Sequence, residues 1–207
     1  MRKNLGEKQI MSFIKANDSA MGNSNFDRNE LDFYPTPEWI TEAIIPILLQ
    51  HHLNKEYTVW EPACGKRHMS NVLGKYFKYL NESDIINYDN NDKIYIIDFL
   101  KFNQKLLTES CIITNPPYGK DAEKFIRKAL DILPKDTGVC AFLMRNEYDC
   151  AKSRIDLFNQ HPFARKVILT TRPKWIEGSD GSPRHNYSWY IWDYKHIGSP
   201  VIQYHVK

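Results

Sequence analysis

The sequence predicts an α/β protein in which a mostly parallel seven-stranded sheet carries helices on both faces. Three observations carry that expectation. Runs such as Cys111, Ile112, Ile113 and Thr114 have the apolar, β-branched composition of a strand covered on both faces. Segments of helical period lie between such runs, and strands alternating with helices imply crossover connections and a parallel sheet. The polar residues that interrupt the pattern fall just past the strands, at Glu61, Gly65, Asp84, Asp98, Asn115 and Tyr118. That is the end of a parallel sheet at which ligands bind.

In chain order, residues 1–30 are polar and lack a sustained period, so they read as a flexible arm, with MSFIK as a candidate short helix. Residues 31–207 read as one domain. The stretch TPEWITEAIIPILLQHH begins a helix with Thr36 as its N-cap and Pro37 at the first helical position, and Pro46 inside it is a candidate kink. Strands are expected at 58–63, 78–85, 93–100, 110–115, 138–145, 164–171 and 187–194. Helices are expected at 69–76 and at 121–133, where Phe125, Ile126, Ala129, Leu130 and Leu133 share a face. Trp189 and Trp192 on the last strand read as core.

A chain of 207 residues with 42% hydrophobic residues can bury one sizeable core. The net charge of +3 permits an anionic partner without requiring one. Four cysteines without a CxxC pair read as small core hydrophobes rather than as a metal site or a disulfide framework. No signal-peptide core and no apolar run of membrane-spanning length is present, so a reducing cytoplasm is the expected compartment.

Pro116 and Pro117 cannot donate to a sheet ladder, so they end the strand near Asn115 and hold its side chain and the adjoining carbonyls in a narrow set of orientations. Gly65, after the first strand, lets a ligand approach the backbone, and Glu61 at the strand end can hold an amine or hydroxyl. Asp84 stands about twenty residues on, where nucleotide-binding sheets keep a ribose carboxylate. Asp98 beside Phe99 pairs a carboxylate with a ring, a sensible clamp for adenine; a helix cap and a core phenylalanine are the simpler account. Arg165, Lys166, Arg172 and Lys174, followed by Trp175, Arg184, His185 and Tyr187, make a basic, aromatic segment suited to phosphate contact and base stacking. A solvated strand edge and loop is the alternative.

Taken in order, these motifs resemble those of the S-adenosylmethionine-dependent amino-methyltransferases of DNA, above all the small adenine-N6 enzymes of bacteriophage and prophage type. DFYPTPEWI (32–40) is similar to the amino-terminal cofactor motif, EPACG (61–65) to the cofactor loop and SDI (83–85) to the ribose position. DFL (98–100) is similar to the adenine position and NPPY (115–118) to the catalytic tetrapeptide. The segment from Thr170 to Asp193 is similar to the carboxyl-terminal part of the small phage enzymes. The resemblance implies a Rossmann-like methyltransferase fold and methylation of adenine N6 in DNA, without metal or membrane. By the same resemblance Tyr34, Pro35, Thr36, Glu61, Cys64 and Gly65 line the methionine end of the cofactor. Asp84 takes the ribose, and Asp98 with Phe99 the cofactor adenine. Asn115 and the Pro116 carbonyl, on a loop stiffened by Pro117, accept from the target amine while Tyr118 stacks on the base.

A basic loop around 172–186 is the expected DNA-reading element, through Arg172, Lys174, Trp175, Arg184, His185 and Tyr187. RNA adenine methylation, glutamine methylation of a release factor, and a non-catalytic nucleic-acid-binding module remain as alternatives. One departure stands out: where the family has a second glycine, two residues after Gly65, this chain has Arg67. A negative φ would accommodate that side chain, with the guanidinium either leaving the pocket or pairing with the cofactor carboxylate.

Overall fold

The computed structural model describes residues 35–88, 90–175 and 184–207; the amino-terminal arm, Tyr34 and the loop 176–183 lie outside the described residues. Among the described residues eight strands form one sheet in the order β3-β2-β1-β4-β5-β7-β6-β8. β1 (Thr58–Glu61), β2 (Tyr79–Asp84), β3 (Tyr95–Ile96), β4 (Ser110–Thr114) and β5 (Val139–Arg145) are joined by parallel pairings. β7 (Tyr187–Asp193) inserts antiparallel between β5 and β6 (Phe163–Leu169), and β8 (Val201–His205) runs parallel to β6 at the edge.

Alternation along the strands sends neighbouring side chains to opposite faces, and each face is covered. Helices α1 (Glu38–His51) and α2 (His68–Tyr76) bring Ile40, Ile44, Leu48, Met69 and Leu73 against Cys111, Ile113, Ala141 and Leu143. On the other face α3 (Lys120–Ile132) and α4 (Ile155–Asn159) bring Phe125, Ile126, Ala129, Leu130 and Leu157 against Ile112, Cys140, Phe142 and Trp192. Trp189 and Trp192 are fully buried as expected, and each satisfies its indole N–H on a backbone carbonyl, of Ile40 and Leu157 respectively. Cys64, Cys111 and Cys140 are buried free thiols, and Cys150 is exposed.

Three expectations are corrected. The sheet has eight strands, not seven. The eighth, β8, is not among the expected strands: Val201, Ile202 and Tyr204 are strand formers, but all three are exposed at the sheet edge and show no apolar–polar alternation. The expected strand at 93–100 shrinks to Tyr95–Ile96, because the Asp98 carboxylate accepts from Leu100 N at 3.1 Å and caps a 3₁₀ turn over Phe99–Lys101. Thr36 is not the N-cap of α1: Pro37 holds that place with φ −55° and ψ 136°, and the helix starts at Glu38. The Thr36 hydroxyl instead accepts from the Asn115 side chain at 3.1 Å. The helix then continues through Pro46 to His51.

Candidate active site

Two adjoining clefts open at the carboxyl ends of β1, β2 and β4. The first, about 660 Å³ and open to solvent, is lined by Pro35, Thr36, Glu61, Cys64, Gly65, Asp84 and Asn115 to Tyr118. The second, about 460 Å³, is lined by Asp98 and Phe99, with Ile85, Ile97 and Phe125 as apolar neighbours and Asp84 and Asp121 as acidic ones. Ala63 and Asp84 border both. The sequence candidates of the cofactor and NPPY motifs that lie within the described residues therefore line two neighbouring clefts that share Ala63 and Asp84.

Asp84, the last residue of β2, ties the β1–α2 loop down: its carboxylate accepts from Gly65 N at 2.8 Å and from Ile86 N at 3.3 Å. Cys64 N donates to Ser83 O at 3.0 Å, so the loop is stitched to the β2 strand end by backbone and side chain together. Glu61 is fully buried at the floor, and Ser70 of α2 donates a hydrogen bond to its carboxylate. Burial, with the charges of Glu82 and Asp84 adding to it, pushes the Glu61 carboxyl up from 4.5 to about 8. Phe99 is 2% exposed and packs edge-on against Trp60, so it serves the core while bordering the second cleft. Asp98 does double duty in the same way, capping its turn and pairing with Lys101 at 3.2 Å.

Arg67 does not adopt a negative φ. It lies in the left-handed region at φ 66° and ψ 20°, the conformation a glycine would take without strain. Its guanidinium leaves the β1–α2 loop and grips Glu82 of β2 in a bidentate pair, at 2.7 and 2.9 Å. The pair offsets the backbone strain and neutralises one of three carboxylates gathered behind the loop. With side-chain exposures of 23% and 8%, it is shielded enough for its loss to be felt. Arg67→Ala should cost about 2–4 kcal/mol, because it strands the Glu82 carboxylate and keeps the unfavourable φ. Arg67→Gly should recover about 1 kcal/mol of that by relieving the strain. Urea unfolding checks the order wild type, glycine, alanine.

At the NPPY loop, Tyr118 donates to Asn115 Oδ1 at 2.6 Å, and its ring leans on Tyr187 and Trp175 at centroid distances of 5.9 and 6.5 Å. Tyr187, the first residue of β7, is 5% exposed and supports that ring from within the sheet, so it offers little surface of its own for stacking. Arg172 Nε donates to Asn186 Oδ1 at 2.8 Å, and Arg172, Lys174, Arg184 and His185 are all exposed on the same margin. His68, Met69 and Tyr88 also line the first cleft and were not singled out in the sequence. His68 and Met69 open α2 directly after the cofactor-like loop, so their position was readable, whereas Tyr88 lies in an irregular segment without any signal. Arg145, which ends β5 opposite Tyr187, adds a further exposed cation that its place at a strand end could have flagged.

No protein-family model matches the sequence, and no curated protein resembles it significantly. Solved structures do. A candidate RNA methyltransferase from Pyrococcus horikoshii superposes with a TM-score of 0.60 at 17% identity, over 88% of this chain and 98% of the other. The modification subunit of a candidate type I restriction enzyme from Vibrio vulnificus gives 0.58 at 14% identity, over 95% of this chain and 49% of the other. A candidate class I S-adenosylmethionine-dependent methyltransferase from Listeria monocytogenes gives 0.59 at 12% identity, over 97% and 73%. With its parallel half-sheet and inserted antiparallel β7, the chain has the α/β Rossmann-like fold of the class I S-adenosylmethionine-dependent methyltransferases.

Proposed function

We propose that the chain transfers a methyl group from S-adenosylmethionine to the N6 amino group of adenine in DNA. The observation that carries the reading is the meeting of Asn115, Pro116 and Tyr118 with the Glu61–Gly65 loop around one cleft at the sheet's carboxyl end. The residues present fit the cofactor. The buried Glu61 carboxyl, which has a hydroxyl but no cation as partner, can receive a cation, Asp84 can receive hydroxyls, and the second cleft offers a planar base apolar walls beside the Asp98 carboxylate. When bound, the cofactor supplies an electrophilic methyl on a sulfonium.

The chain's own residues then act on the amine. An adenine amino nitrogen has its lone pair delocalised into the ring and is a poor nucleophile. Asn115 Oδ1 and the Pro116 carbonyl accept its two hydrogens, favouring the pyramidal nitrogen of the transition state and aiming the lone pair at the methyl. With the cofactor bound, this placement would let the nitrogen take the methyl as the sulfur–carbon bond breaks, and the surplus proton would pass to solvent. Tyr118 stacks on a base flipped out of its duplex, at a cost of a few kcal/mol partly returned by stacking of about 1–3 kcal/mol.

Arg145, Arg172, Lys174, Arg184 and His185 supply the phosphate-binding margin, and Trp175 a stacking surface beside it. Removing one cation that pairs with a phosphate should lower the slope of log affinity against log salt by about 0.9 on duplex DNA, so Lys174→Ala should flatten the salt dependence by that amount. RNA is the second reading, favoured by the likeness to a candidate RNA methyltransferase along nearly the whole of that chain. Labelled S-adenosylmethionine offered with unmethylated duplex DNA, RNA or a release factor separates the cases. Label on DNA N6-methyladenine supports the proposal; label on RNA or protein alone overturns it.

A further inference from the structure

Asn115 is held from both ends by residues distant in the fold. Its Nδ2 donates to Thr36 Oγ1 at 3.1 Å, and its Oδ1 accepts from Tyr118 at 2.6 Å. The two lengths say which end of the amide is which. A contact of 2.6 Å belongs to an O–H···O bond and is short for N–H···O, whereas 3.1 Å suits N–H···O. Thr36 is 6% exposed, sits one residue before the cap of α1 and is carried by a helix whose Ile40, Ile44 and Leu48 are locked into the core. It is also one of the residues lining the first cleft.

We propose that Thr36 is a positioning residue for Asn115: by taking the Nδ2 hydrogen, it holds the amide with Oδ1 presented as the acceptor for a substrate amine. The shape of an amide is nearly the same after a half-turn, so only its hydrogen-bond partners choose between the two orientations. Without the Thr36 oxygen, Nδ2 loses its protein partner and the amide is held from the Tyr118 side alone, free to turn and face an incoming amino group N–H against N–H. A hydroxyl, of Tyr118 or of Thr36, both donates and accepts, so neither partner alone fixes the amide; the two bonds at opposite ends together hold its plane. Thr36 thus links the cleft assigned to the cofactor with the group assigned to the substrate. The geometry stands by itself, while its kinetic consequence rests on the methyl-transfer reading.

The test compares Thr36→Val, which keeps the shape and removes the oxygen, with Thr36→Ser, which keeps the oxygen. The Asn115 side-chain amide, identified in nitrogen-15 spectra by its disappearance in Asn115→Ala, should exchange its hydrogens with solvent at least about tenfold faster in the valine variant and at the wild-type rate in the serine variant. In the methylation assay kcat should fall at least about tenfold for valine, with KM and cofactor Kd within about threefold, and serine should stay near wild type. Thr36→Ala should repeat the valine pattern and stands in if valine does not fold. Unchanged amide exchange with unchanged kcat overturns the inference, as does a loss confined to cofactor Kd. If the wild-type chain methylates no substrate at all, it is the proposed function that has failed, and amide exchange still decides the role of Thr36.

Discussion

Replacing Asn115 by alanine is expected to lower the rate of methyl transfer by about two to three orders of magnitude, the scale seen when one directed polar group is removed from a transition state. Cofactor affinity should change less than about threefold, because the group removed addresses the substrate amine and only borders the cofactor's cleft. The rate should not fall to the uncatalysed value, since the Pro116 carbonyl remains and the stiff loop still positions the base. Asn115 directly follows a fully buried strand, β4, and Thr36 and Tyr118 hold its amide, so the acceptor is oriented before any substrate arrives. Preorganisation of this kind is what makes one side chain weigh so much. Single-turnover transfer from labelled cofactor to duplex DNA measures the effect directly. A variant with full activity would place the amine elsewhere in the cleft and remove the central support for the reading.

How much of this was legible depends on whether the information is local. The buried strands and the amphipathic helix at Lys120–Ile132 announce themselves by composition and period, and the site's position follows from the rule that parallel sheets bind ligands at one end. Thr36 shows where such reading stops. A threonine before a proline and a glutamate has every local feature of an N-cap, yet its hydroxyl is taken by a side chain 79 positions away. The Asp98 turn and the exposed β8 edge fail for other reasons: a cap cuts short a strand-like run in the first case, and an edge strand without a buried residue shows no apolar–polar alternation in the second. Arg67 combines both. Its departure from a glycine pattern was plain in the sequence, but Glu82, the residue that makes it tolerable, declares itself only once β2 lies beside the loop.

The second large effect concerns Glu61 and is a dependence on pH. Its carboxyl has an ordinary value of 4.5 and is raised to about 8, mainly by burial and further by Glu82 and Asp84. Folded protein therefore keeps that proton in a window where unfolded chain has lost it, so this group's contribution to stability is largest below pH 4.5 and declines as pH rises towards about 8. Glu61→Gln keeps an acceptor for the Ser70 hydroxyl and cannot ionise, so its stability relative to wild type should climb across that window and level off above it. Cofactor binding should respond with the opposite sign. A sulfonium and an ammonium brought to the cleft favour the ionised carboxylate, so wild-type affinity should rise by up to about tenfold per pH unit on approaching the free carboxyl's value, with release of a proton on binding. The glutamine variant should bind at least about tenfold more weakly above that value and show a flat profile. Calorimetry in buffers of different ionisation enthalpy counts the proton released, and thermal melts across the same range follow stability. A wild-type affinity that does not change between pH 6 and 8 would mean that Glu61 stays protonated beneath the cofactor and that the positive charge is met by other groups. A glutamine variant that is stabilised yet binds normally would show Glu61 to be a strained structural residue rather than part of the cofactor site.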